Sequence, residues 1–158
     1  MSTEGGASGC AVWFYHLEQT ALDQALPELL EKTLARGWKA RVCSPLAERL
    51  EHLDGWLWSW RDESFLPHGL ESGPYAERQP VLLGHDPVTN PTGAEALFLL
   101  DGAEPGDLAA FQRCLILFDG RSDAAVAHAR SQWKRLKSEG LDLSYWQQTA
   151  RGGWEKKA

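Results

Sequence analysis

The chain has 158 residues, with 16 basic and 22 acidic side chains and a formal net charge of −6. That length suits one domain with a real core, and that charge argues against a whole-surface electrostatic grip on DNA or RNA. Any contact with a nucleic acid or an acidic peptide then needs a local basic patch. Cys10, Cys43 and Cys114 are odd in number and far apart, which argues against a disulfide framework and suits a reducing cytoplasm. There is no charged-then-apolar leader and no apolar run of membrane-spanning length, so the expectation is a soluble cytoplasmic protein that does not engage a membrane.

Residues 1–10 are small, polar and Gly-rich and read as a disordered lead-in. Ala11 to Leu17 is rich in aromatics and reads as a buried strand. Thr20 to Arg36 is helical, with Leu22, Leu26, Leu29, Leu30 and Leu34 on one face and Gly37 at its end. Pro27 within it predicts either a helix start near that residue or a kink. Lys39 to Cys43 reads as a short strand. Ser44-Pro45 then caps and opens a second helix that runs to about Trp58. Asp62 to Gln79 is loop-like. Pro80 to His85 and Ala96 to Leu100 read as strands, Asp107 to Gln112 as a short helix, and Cys114 to Phe118 as a compact apolar strand. Strands alternating with helices over short links predict one three-layer α/β domain over residues 11–150. Its sheet is mostly parallel, with helices on both faces and right-handed crossovers. Residues 151–158 are expected to form a flexible tail.

Ser122 to Gly140 is the best-formed helix. Ser122 suits the N-cap, Asp123 the positive end of the helix dipole, and Gly140 the C-terminal stop. Val126, Ala129, Trp133 and Leu136 recur at helical spacing as an apolar seam. Arg130, Lys134 and Lys137 form a second stripe roughly 90° around the helix. Trp133 sits where the two stripes meet. An aromatic wall beside fixed cations is what an acidic peptide with a bulky last residue requires, whereas the plain alternative is a solvated basic flank beside a core helix.

The motifs of common chemistries are missing. His16-Leu17-Glu18-Gln19-Thr20 follows the first strand in place of a Gly-x-Gly-x-x-Gly turn, and no Gly-x-x-x-x-Gly-Lys-Ser/Thr occurs. The domain is thus Rossmann-like without nucleotide-binding motifs. Asp86 and Asp119 each follow an apolar strand, but turn capping explains them equally well. The five histidines make no His-Glu-x-x-His, and no Gly-x-Ser-x-Gly elbow is present. No catalytic residue, metal site or cofactor is therefore expected. Leu53 to Leu70 is more distinctive. Trp56 and Trp60 share a helical face and Trp58 points to another side, so the three either pack under the following loop or leave an exposed aromatic pocket.

The run Leu53-Asp54, Leu57-Trp58 and Glu63-Ser64-Phe65-Leu66-Pro67-His68-Gly69-Leu70 resembles the signature of the chi subunit family of bacterial DNA polymerase III. Arg130-Ser131-Gln132-Trp133-Lys134, Gly140-Leu141 and Trp146 resemble the family's last helix and tail. Phe14-Tyr15 and Gly37-Trp38-Lys39-Ala40-Arg41-Val42 fit as well. The resemblance covers nearly the whole chain in order. It implies a non-catalytic accessory subunit that links the clamp loader to single-stranded DNA-binding protein. The implied partners are the acidic C-terminal tail of that protein, which ends in a Pro-Phe carboxylate, and, on a second face, the psi subunit or another clamp-loader subunit. A DNA-repair helicase is an alternative partner. A small nucleotide-dependent enzyme and a direct single-strand DNA binder are the readings of other classes. The family's tail-binding arginine and lysine match Arg130 and Lys134. Trp133 stands where the family usually has tyrosine, Phe65 matches the pocket phenylalanine, Trp58 matches a motif tryptophan expected nearby, and Lys137 adds positive potential. Val126 replaces a lysine that some relatives carry.

Overall fold

Residues 10–60 and 66–158 are described by a computed structural model of the chain. The expected lead-in, Cys10 apart, and Phe65 lie outside the described residues. Strand β1, Ala11–Leu17, has the bounds that its aromatic run predicts. It pairs in parallel on both sides, with β6 (Arg113–Asp119) and with β7 (Asp142–Gln148). A strand covered on both sides buries both of its faces, and alternate residues go to opposite layers. Tyr15 enters one core and Trp13 packs against it, whereas Val12 and Phe14 enter the other.

Among the described residues the sheet has eight strands, in the order β3-β4-β2-β5-β6-β1-β7-β8. The remaining strands are β2 (Ala40–Cys43), β3 (His68–Leu70), β4 (Val81–Gly84), β5 (Ala96–Leu99) and β8 (Trp154–Lys156). Every pairing is parallel except β7 with β8. Helices α1 (Leu22–Ala35) and α2 (Ala47–Ser59) cover one face, through Leu26, Leu30, Leu50, Leu53 and Leu57. Helix α3 (Asp123–Ser138) covers the other face, through Ala129 and Leu136. These are the three layers and the mostly parallel sheet that the alternating pattern predicts.

Pro27 neither starts α1 nor breaks it. It lies inside the helix and is buried. Proline has no N–H, so the carbonyl four residues back, Asp23, loses its helical donor. The Trp56 indole Nε1 donates to that carbonyl at 2.7 Å. A side chain of α2 thus replaces the bond that Pro27 removes and fixes α1 against α2. Trp56 and Trp60 pack against the core beneath α1 and α2, while Trp58 faces outward and is 54 % exposed.

Four expectations are corrected. Helix α2 starts at Ala47 with Leu46 as its cap, because the Ser44 hydroxyl accepts from Leu46 N and donates to Asp101 rather than capping a helix at Pro45. The segment expected to be loop-like contains β3 and a 3₁₀ turn, Ala76–Arg78. Asp107–Gln112 forms no helix, since the Asp107 carboxylate accepts from Ala109 N in a local turn that competes with helical bonding. The C-terminal residues form β7 and β8, and the segment expected as a flexible tail pairs with β7 through Trp154, Glu155 and Lys156. Among the described residues no helix is long and apolar enough to cross a membrane.

Replacing Trp56 with Phe should cost about 1–2 kcal/mol, the penalty for a half-buried carbonyl left without a donor. Urea unfolding of wild type, Trp56→Phe, Pro27→Ala and the double variant checks this. The Trp56 substitution should cost less in the Pro27→Ala background, where residue 27 supplies its own N–H.

Candidate functional site

Helix α3 forms as its sequence dictates. Ser122 caps it, with its hydroxyl accepting from Ala125 N at 3.2 Å, and Gly140 ends it at φ +82°. Asp123 lies in the first turn and Arg135 and Lys137 in the last, each on the favourable end of the dipole. Gln132, which no periodicity argument singles out, is buried and donates to the Ala103 carbonyl and the Glu104 carboxylate.

Arg130, Lys134 and Lys137 are all exposed. Arg135 is drawn toward Glu104 and Glu139, but none of those three has a carboxylate partner among the described residues. Trp133 is half-buried between them. Its ring stands edge-on to Phe14 at 5.3 Å and to Tyr145 at 5.9 Å. Tyr145 comes from β7, and its hydroxyl is 2.6 Å from His16 Nδ1. Burial raises the Tyr145 hydroxyl above its ordinary range, and the positive charge of Arg130 pulls it back down. Arg130 therefore lies close enough to Tyr145 to act on it electrostatically. Phe118 extends the same wall, 6.1 Å from Tyr145 and 5.2 Å from His16.

The result is a pair of half-buried rings, Trp133 and Tyr145, backed by the buried Phe14 and Phe118 and rimmed by cations that have no carboxylate partner among the described residues. Such an arrangement can seat an aromatic side chain beside a carboxylate. Tyr145 and His16 were not expected in it. The alternation of Leu143, Tyr145 and Gln147 with Ser144, Trp146 and Gln148 is the strand signal that could have found Tyr145.

Trp58 does not join this group. It sits at the end of α2, on the opposite face of the sheet, near β3 at the far edge from β7. Its ring lies 4.4 Å from that of His68. The His68 ring nitrogens in turn lie 2.6 Å from the Leu66 carbonyl and 2.7 Å from that of Asp54. Leu66 and His68 thus hold the start of β3 to α2. Phe65 lies outside the described residues.

The loop after β1 is closed by a side chain. Gln148 Oε1 accepts from the backbone N–H groups of Glu18, Gln19 and Thr20 at 2.7–3.1 Å, and its Nε2 donates to the Thr20 hydroxyl. In dinucleotide-binding folds the backbone at this place faces phosphate. Here those donors are engaged within the protein. Asp86 and Asp119 accept from the N–H groups of Val88 and Arg121 as turn formers. Among the described residues no group of three or more His, Cys, Asp or Glu is placed to hold a metal ion. Burial pushes the Cys10 thiol up to about 11 and the Cys43 thiol up to about 12, away from nucleophilic use.

The family model for the DNA polymerase III chi subunit, HolC, matches residues 10–144. The match runs from the start of β1 through α3. Over 115 residues the chain is 26% identical to a probable DNA polymerase III subunit chi from Rickettsia prowazekii (strain Madrid E), covering 66% of this chain and 67% of that relative.

The packing separates structural from exposed members of the site. Trp133→Ala should destabilise the fold by about 2–4 kcal/mol through lost contact with Phe14 and Tyr145, whereas Lys134→Ala and Lys137→Ala should stay within about 0.5 kcal/mol. Chemical denaturation of the three variants measures the difference.

Proposed function

The chain belongs to the DNA polymerase III chi subunit family, and from that premise we propose that it is a non-catalytic adaptor whose α3 surface binds the acidic C-terminal tail of single-stranded DNA-binding protein. Membership in this family gives it a place among the accessory subunits of a replicative polymerase. The observation that carries the finer reading is Arg130, exposed and without a carboxylate partner among the described residues, beside the half-buried ring of Trp133 and within electrostatic reach of Tyr145.

Each residue then has a role set by its chemistry. The guanidinium of Arg130 matches a terminal carboxylate in two-point geometry. Lys134 and Lys137 add the positive potential that steers acidic residues toward the helix. Trp133 and Tyr145 flank the place for the last aromatic side chain. Val126 supplies no charge where some relatives have lysine, which leaves the turn before Arg130 without a cation at that position.

Trp58 belongs to the opposite face. An exposed tryptophan there suits the second partner, the psi subunit or another clamp-loader subunit, because tryptophan is favoured at binding hot spots. Opposed faces let one small domain hold two partners at once.

Calorimetry with a tail peptide tests the assignment. Arg130→Ala should weaken binding by about 1.5–3 kcal/mol, as for a charged hydrogen bond removed. Equal affinity for wild type and variant would remove Arg130 from the site. Trp58→Ala should leave tail affinity unchanged, and a loss there would move the slot to the other face. A peptide without its terminal Phe should not bind measurably, and retained binding would reduce the interaction to generic charge.

A further inference from the structure

Three cations converge on the α1 face of the sheet, away from α3. Arg113 opens β6, and Lys32 and Arg36 lie at the C-terminal end of α1. Trp13 on β1 and Trp38 just before β2 supply two indole rings. Arg113 Cζ lies 3.9 Å from the centre of the Trp13 ring and 5.1 Å from that of Trp38, and Arg36 Cζ lies 4.4 Å from Trp38. Among the described residues no carboxylate pairs with Lys32, Arg36 or Arg113, although the chain as a whole is acidic. Together with Tyr15 they line a cavity of about 230 Å³.

The helix dipole accounts for part of this. Lys32 and Arg36 suit the negative end of α1. It does not account for Arg113, which is on a strand. Arg113 Nε is buried with no acceptor. Burial disfavours its charge, and the neighbouring Arg36 adds to that cost. Nor do the last carbonyls of α1 recruit these side chains. Those of Lys32, Thr33 and Leu34 already accept from the backbone N–H groups of Arg36, Trp38 and Gly37. Like charges beside a dry, unsatisfied donor are unfavourable until an anion arrives.

We propose that this cavity is an anion site for a single phosphate group, either free or at the end of a small ester. Guanidinium groups set against indole rings leave in-plane N–H donors for oxygen, the geometry by which arginine recognises phosphate. Three cations match a dianion better than a single carboxylate. Burial holds the Tyr15 hydroxyl up at about 12, so it keeps its proton at neutral pH and serves as a fourth donor. The volume equals roughly eight waters at ~30 Å³ each, enough for a phosphate and the first atoms of an ester. Recognition there is of the phosphate. The site is independent of the α3 surface, since it lies on the other face of the sheet.

The test is calorimetry of the full chain with inorganic phosphate and, separately, with glycerol 3-phosphate, at ionic strength held constant with chloride. Tryptophan fluorescence is followed in parallel, because Trp38 lines the site and Trp13 stacks on Arg113. At least one anion should bind saturably at one site and change the fluorescence. Tighter binding of the ester assigns the ester as ligand, and equal or tighter binding of inorganic phosphate assigns the free anion. Arg36→Gln and Arg113→Gln should each weaken binding at least tenfold, while Arg121→Gln, at the far end of β6, should not. Arg36 is exposed, so its variant folds and reports even if the Arg113 variant does not. Absence of saturable binding of both anions, or full affinity in Arg36→Gln, would overturn the proposal.

Discussion

Strand β1 sets the two-sidedness on which everything else depends. It is held in parallel between β6 and β7, and its alternation sends Phe14 to one layer and Trp13 and Tyr15 to the other. A shift of one residue in this register would exchange the two sets. Phe14 is the surface on which the Trp133 ring stands, so the register of β1 decides where the cationic helix presents its aromatic wall. The other parity places Trp13 beside Arg113, where the second cluster of cations forms. Two basic surfaces on an acidic chain thus come from one strand with aromatic residues at successive positions.

Helix α3 then needs little further help. Its cap, seam and stop are local, and its cations point outward because the seam beside them is buried. What the helix cannot supply is the second aromatic wall, which arrives from β7 as Tyr145. That dependence ties the site to the C-terminal strands. It also explains why the sheet closes its nucleotide-like end from the same strand. Gln148, three residues beyond Tyr145, binds the loop after β1 and engages the N–H groups that such folds usually turn toward phosphate. One strand completes the proposed peptide surface and fills the position associated with nucleotides.

Much of this is legible in the residues. The bounds of β1 follow from its aromatic run, and α3 follows from Ser122, the 3.6-residue seam and Gly140. Other features depend on partners distant in sequence. Pro27 argues for a break in α1, and only the Trp56 indole, arriving from α2, makes an unbroken helix tolerable there. Strand β7 carries Gln, Ser and Asp among its apolar residues, so it does not announce itself as β1 does. Arg41 stands in a short apolar strand and is wholly buried, held by Glu71 and by the Asp86 and Thr89 loop, a placement that no charge pattern foretells. The same limit applies to Trp58. Residue spacing does not tell which face of a sheet a helix end occupies, and α2 takes the face opposite α3.

In the proposed arrangement the tail of single-stranded DNA-binding protein is seated on α3 against Trp133 and Tyr145, and Trp58 serves a different surface. Titrating ¹⁵N-labelled chain with the tail peptide, and following the indole N–H signals of its tryptophans by two-dimensional NMR, tests both halves at once. The Trp133 indole signal and the backbone amides of Arg130 to Lys134 should shift together and saturate, with the Trp58 indole signal unmoved. Saturating shifts at Trp58 with α3 unaffected would contradict the account.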